Sequence, residues 1–194
     1  MKVTAVEAIP FRIPFAEKKV WARGVLDAAE HVLVRVRTDG GLTGIAEAPP
    51  RPTIYGESLK SIVAALEDWF GPAVLGIDPF ATEQVLERFE RWVGNPTARA
   101  AVEMALTDIK AQAAGVPVYK LLGGWTDRVP VCARVPTGDG EAVVRSCAAL
   151  REQYGITTFK IKVGMNHQRD VATLRAVREA LGAEARLCPD ANQG

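Results

Sequence analysis

The sequence predicts an α+β domain followed by the opening units of a parallel βα repeat. Three observations carry that expectation. The first fifty residues hold period-two apolar runs around the turn Asp39-Gly40-Gly41. Residues 58–115 place their apolar side chains at helical spacing, and after Gly123-Gly124 strand-like and helix-like runs alternate.

The first domain opens with strands over Val3 to Ile13, Glu30 to Thr38 and Leu42 to Ala48. Asp-Gly between two apolar runs marks a hairpin, because glycine accepts the positive φ that such turns require. A helix over Ser58 to Phe70 presents Ile62, Val63, Leu66, Trp69 and Phe70 on one face. A second helix is expected from Asp78-Pro79, an N-cap followed by proline at the first helical position, with Glu87 and Arg91 as an i,i+4 pair. A third begins in the same way at Asn95-Pro96 and runs to Gly115, its many alanines suiting close packing.

The second part reads as strand Val129 to Val135, helix Glu141 to Tyr154, strand Thr157 to Val163, helix Asp170 to Leu181 and strand Ala185 to Pro189. Three parallel strands do not close a barrel, and an eight-unit barrel takes about 250 residues. The chain therefore reads as the front part of something longer, or as a complete chain whose sheet edge a partner covers.

The 194 residues are 48% hydrophobic and 24% charged with a net charge of +1. That balance suits a core-forming chain and gives no basic excess for nucleic acid. No run reaches the ~18 uninterrupted apolar residues of a membrane helix. Cys132, Cys147 and Cys188 lack metal-type spacing and read as buried thiols of a reducing, cytoplasmic setting. Gly40-Gly41 and Gly123-Gly124 lack phosphate-loop spacing and read as turns, which disfavours a nucleotide-binding module. His31 and His167 read as structural or solvated, and Trp69, Phe70 and Trp92 as helix core.

The chemistry concentrates in Thr158-Phe159-Lys160-Ile161-Lys162-Val163-Gly164 and Asp190. Strand side chains alternate, so Lys160 and Lys162 share one face while Phe159, Ile161 and Val163 take the other. Taken alone, the plainer reading of two such lysines is an edge strand protected against aggregation. Parallel strands are covered on both faces, however, and reacting groups gather at their carboxyl ends. Lys160, Lys162 and Asp190 should therefore be neighbours. Repulsion between ammonium groups about 7 Å apart, with desolvation, should pull one lysine down toward a working base. Asp190 alone has a competing role as a turn or helix cap. As a ligand it offers a hard cation one carboxylate.

These residues come with Glu47-Ala48-Pro49-Pro50-Arg51-Pro52, Tyr55-Gly56-Glu57, Asn95-Pro96-Thr97-Ala98, Leu121-Leu122-Gly123-Gly124 and Asp190-Ala191-Asn192-Gln193-Gly194. In that order they resemble the muconate lactonizing (muconate cycloisomerase) / mandelate racemase group of the enolase superfamily. The resemblance implies an α+β capping domain over residues 1–124. Residues 125–194 would then be the first three strands of a (β/α) TIM-like barrel, truncated, with the active site between the two. It implies Lys162 as general acid/base, with Lys160 lowering its pKa and helping to orient it. Asp190 would be the first of three carboxylate ligands to Mg²⁺ or Mn²⁺, and Asn192 the support of that site. The family's specificity loops fall on Phe15 to Val25 and Ala48 to Glu57, which makes Trp21, Arg23, Ile54 and Tyr55 candidates to touch a small carboxylate substrate.

The reaction so implied is proton transfer α to a carboxylate through an enolate, with cis,cis-muconate cycloisomerised to muconolactone. Dipeptide epimerase, N-acylamino acid racemase and o-succinylbenzoate synthase relatives use the same lysines. A cytoplasmic homo-oligomer, binding neither nucleic acid nor membrane, is the expected setting. The other metal ligands and the opposite-face acid/base are expected after Gly194, so the 194 residues by themselves are expected to bind metal weakly and not to turn over. A non-catalytic remnant is the competing expectation from another class.

Overall fold

The computed structural model describes residues 1–21, 24–136 and 138–191, without the side chains of residues 17, 19, 20, 21 and 24. It divides into two compact units, Met1–Pro14 with Ala28–Trp125, and Phe15–Asp27 with Thr126–Gly194. Strands β1 (Val3–Trp21), β2 (Gly24–Thr38) and β3 (Thr43–Ala48) form an antiparallel sheet in that order. The β2–β3 register runs from Val32 opposite Ala48 to Arg37 opposite Thr43, around the expected Asp39-Gly40-Gly41 turn. Val32, Val34 and Val36 are fully buried, as alternation on a sheet with one covered face requires.

Helix α1 (Leu59–Ala65) starts at Ser58, whose hydroxyl accepts from the Ser61 N–H while Ser61 reaches back, a reciprocal cap. The expected helix to Phe70 changes character at Leu66. Leu66–Phe70 winds as a π-helix, and α2 (Gly71–Val74) follows directly. Helix α3 (Thr82–Phe89) begins three residues later than expected. The Asp78 carboxylate accepts from the Phe80 N–H at 3.0 Å, and its carbonyl accepts from the Ala81 N–H at 2.9 Å, so Asp78-Pro79 makes a turn. Arg91 accordingly lies beyond the helix, and no helical Glu87–Arg91 pair exists.

Helix α4 (Pro96–Ala114) buries Ala98, Ala101, Val102, Ala105, Leu106 and Ile109, and packs on β3. Gly44 makes that approach possible, since a Cβ there would lie 2.0 Å from the Ala105 carbonyl oxygen. Asn95 stands at the N-cap position but makes no side-chain cap. The carboxylate of Glu57, 4% exposed, fills the place, accepting from the Thr97 and Ala98 N–H groups at 2.8 and 3.3 Å. A short helix, α5 (Val118–Leu121), outside the elements expected from the sequence, follows.

The second unit contains β4 (Cys132–Arg134), α6 (Gly140–Tyr154), β5 (Thr158–Lys162), α7 (His167–Leu181) and β6 (Arg186–Asp190). The strands are parallel in the order β4-β5-β6, as the alternation predicts. Asp139 caps α6 through the Ala142 N–H at 2.7 Å. Helix α7 starts three residues before the expected Asp170, with Asn166 accepting from the Arg169 N–H, and Asp170 instead accepts from the Gly164 N–H at 2.8 Å. Among the described residues no helix is long and apolar enough to cross a membrane.

Candidate active site

Strand β5 is built to fix which way its lysines face. Phe159 and Ile161 are buried in a cluster with Val143 and Cys147 of α6 and Val177 and Leu181 of α7. Lys160 and Lys162, on the opposite face, are partly exposed. A buried Phe or Ile contributes about 1.5–3 kcal/mol, and a one-residue slip would bury the ammonium groups instead. The apolar face thus fixes the register of the polar one.

The parallel register sets Lys162 beside Asp190 and Lys160 between Arg134 and Cys188. The Lys162 Nζ donates to Asp190 Oδ2 at 2.6 Å, and the Lys160 Nζ lies 2.9 Å from the same oxygen. Lys162 and Asp190 side chains are 15% and 21% exposed, while Lys160 is 42% exposed. One carboxylate oxygen therefore bridges two ammonium groups at the carboxyl ends of adjacent strands, where the sequence pattern placed them.

The electrostatics depart from the repulsion expected between the lysines. The hydrogen bond with Asp190 and its negative charge hold the Lys160 ammonium above the usual lysine range, outweighing its small desolvation. Chemically, the arrangement keeps two protons next to one carboxylate. A group that competes for Asp190 would leave the ammonium groups facing each other.

Divalent cations of the Mg²⁺ type take several oxygen ligands. Asp190 suits one of those positions by donor type and strand-end location. Among the described residues no group of three or more His, Cys, Asp or Glu side chains gathers that could complete a cage. Asn192 lies outside the described residues.

Of the three thiols expected to be buried, Cys147 is buried and the other two are not. Cys132 and Cys188, in strands, are exposed, whereas Cys147 of α6 is buried with its pKa pushed up to about 11 by desolvation. Strand position does not bury a residue on the face turned from the helices. Cys188 pairs in register with Lys160 and Cys132 with Thr158, so both belong to the lysine face. Period-two counting across strands could have found this.

Of the remaining candidates, Ile54 and Tyr55 are 50% and 53% exposed on the loop between β3 and α1. Arg23 and the Trp21 side chain lie outside the described residues. The segment Phe15 to Val25, expected as a loop, is strand throughout its described part, because β1 and β2 extend to Trp21 and Gly24. His31 Nδ1 donates to Glu47 Oε2 at 2.9 Å and its ring lies tilted against Phe11, a sheet-surface role. His167 is the first residue of α7.

With this geometry in view, comparisons with known proteins place the chain. A family described as Mandelate racemase / muconate lactonizing enzyme, N-terminal domain, matches residues 2–123. A second, Enolase C-terminal domain-like, matches residues 142–194. The L-Ala-D/L-Glu epimerase of Bacillus subtilis (strain 168) is 35% identical over 196 residues, covering 100% of this chain and 53% of its own length. A crystal structure of muconate lactonizing enzyme from Mucobacterium Smegmatis complexed with muconolactone superposes with a TM-score of 0.94 at 46% identity. It covers 100% of this chain and 53% of that one. A dipeptide epimerase from Enterococcus faecalis V583, complexed with Mg and dipeptide L-Leu-L-Tyr, gives a TM-score of 0.92 at 32% identity, over 99% of this chain and 54% of that one. The chain spans about half the length of the curated relatives it matches.

Proposed function

We propose, as the chain belongs to the mandelate racemase / muconate lactonizing enzyme family of the enolase superfamily, that its protein transfers a proton at the carbon α to a carboxylate through an enolate. The preferred reaction is cycloisomerisation of cis,cis-muconate to muconolactone. The observation that carries the reading is the Lys160–Asp190–Lys162 bridge at the carboxyl ends of β5 and β6.

In this reading the distal carboxylate of muconate adds to the diene, and the Lys162 ammonium delivers a proton to the α carbon of the resulting enolate. General acid/base assistance of this kind contributes about 10² to 10⁴ in rate. Lys160 supplies positive charge beside Lys162 and orients it. Asp190 would hold a divalent cation, Mg²⁺ or Mn²⁺, with Asn192 supporting it. When bound, such a cation stabilises enolate charge by several kcal/mol. Trp21, Arg23, Ile54 and Tyr55 would shape the space around a small carboxylate substrate, in a cytoplasmic homo-oligomer.

Support for the muconate branch comes from the 46% identical muconate lactonizing enzyme bound to muconolactone. A second reading, dipeptide epimerisation, is favoured by the 35% identical L-Ala-D/L-Glu epimerase. The two separate on substrate. Protein from the complete reading frame, assayed with Mg²⁺ or Mn²⁺ against cis,cis-muconate and a dipeptide panel, is expected to form muconolactone. Epimerisation of a dipeptide without muconate turnover would move the assignment to the second branch, and turnover of neither would overturn both.

A further inference from the structure

We infer that Glu57 is a positioning residue that fixes the exposed Ile54-Tyr55 tip against helix α4, and so sets the apolar surface offered to substrate. The role in substrate selection rests on the reaction proposed above; the positioning itself does not.

The loop is closed on itself at short range. The Arg51 N–H donates to the Glu57 carbonyl at 3.0 Å, and the Arg51 carbonyl accepts from the Ile54 and Tyr55 N–H groups at 3.0 and 2.8 Å. Gly56, at φ 79°, reverses the chain just before Glu57. Few free torsions then remain between the tip and the Glu57 side chain. Whatever holds Glu57 also holds Ile54 and Tyr55.

What holds Glu57 is the start of a 19-residue helix. Both carboxylate oxygens are engaged, Oε2 by Thr97 and Oε1 by Ala98. These donors are available because Asn95 sits in the left-handed region, at φ 52° and ψ 45°, and makes no side-chain cap. A local serine or aspartate cap would serve the helix alone. A carboxylate reaching from some forty residues earlier serves the loop as well. Its desolvation is offset by charge-assisted bonds and by the positive end of the helix dipole.

The platform is rigid in its turn. Ala98, Ala101, Val102 and Ala105 are fully buried, and α4 lies close against Gly44. Ile54 and Tyr55, half exposed at the tip, are therefore referenced to the core of the first unit. Two large apolar side chains held out by a pinned loop are suited to meeting an apolar part of a ligand.

The test compares wild type with Glu57→Ala and Glu57→Gln in the full-length protein, by amide hydrogen exchange and by steady-state kinetics. The Gln variant keeps the side-chain shape and one acceptor, so it remains readable if Glu57→Ala folds poorly. Loss of charge-assisted bonds should speed exchange at Ile54 and Tyr55 by about tenfold while Val102 stays protected. KM should rise by about tenfold, with kcat within about twofold, and the Gln variant should fall between the other two. Unchanged exchange at Ile54 and Tyr55 in both variants would overturn the positioning. Faster exchange with unchanged KM would overturn its role in selection. A wild-type protein without turnover refutes the proposed reaction instead, and the exchange comparison still decides the positioning.

Discussion

Two carboxylates, one in each compact unit, solve the same problem with different partners. Glu57 is buried and accepts from two backbone N–H groups at the start of α4. Asp190 is partly exposed and is held by the ammonium groups of Lys160 and Lys162. Backbone donors at a helix end cannot titrate or swing away, so Glu57 is a fixed anchor. Ammonium groups on flexible stems do both, so the contacts of Asp190 can be exchanged. The partner set, more than the carboxylate, separates a fixed tie from contacts that can be exchanged.

The largest expected effect comes from removing the exchangeable partner. Asp190→Asn should lower turnover by at least about 10²-fold, given the several kcal/mol that the cation proposed there would supply. The same variant should return the Lys160 titration, followed by NMR, toward the ordinary lysine value, since Asp190 is what raises it. The sign follows for stability. In the wild type the Lys160 contribution is complete below the ordinary lysine pKa of about 10.4 and fades as pH rises through the higher folded value. That alkaline loss should vanish in Asp190→Asn. An unmoved Lys160 titration would erase the distinction between the two carboxylates.

Each anchor can also be attacked from behind. Phe159→Ala should cost about 3–5 kcal/mol in denaturant unfolding of the second unit, because Phe159 is fully buried beneath the lysine strand. Gly44→Ala should cost about 1–3 kcal/mol in the first unit, by forcing α4 away from β3. Exchange at Thr97 and Ala98 should then rise, which sharpens the claim that Glu57 depends on a well-seated helix. The smallest effect concerns Cys147. With its pKa near 11, it should resist alkylation at neutral pH in the native state and react only on unfolding.

The lysine face was legible in the sequence because period two is a local rule and one βα unit separates Lys162 from Asp190. The hairpin at Asp39-Gly40 was legible for the same reason, since its chemistry lies within four residues. The start of α3 and the cap of α4 were not. Asp78-Pro79 and Asn95-Pro96 carry the same local signal, yet one makes a turn and the other leaves its cap to Glu57. A donor and acceptor 40 residues apart leave no periodic trace. The exposure of Cys132 and Cys188 was missed for a related reason, because facing is set by cross-strand register as well as by strand membership. The raised pKa of Lys160 likewise needed the distance to Asp190, which sequence spacing does not supply.

The central claim is that Lys162 delivers the proton. Full-length protein and its Lys162→Ala variant, given cis,cis-muconate and Mg²⁺ in D₂O, test it through the deuterium content and rate of formation of muconolactone. Wild-type product should carry one deuterium at the carbon α to the carboxylate, and the variant should be slower by about 10² to 10⁴. Deuterated muconolactone formed by Lys162→Ala at the wild-type rate would contradict it.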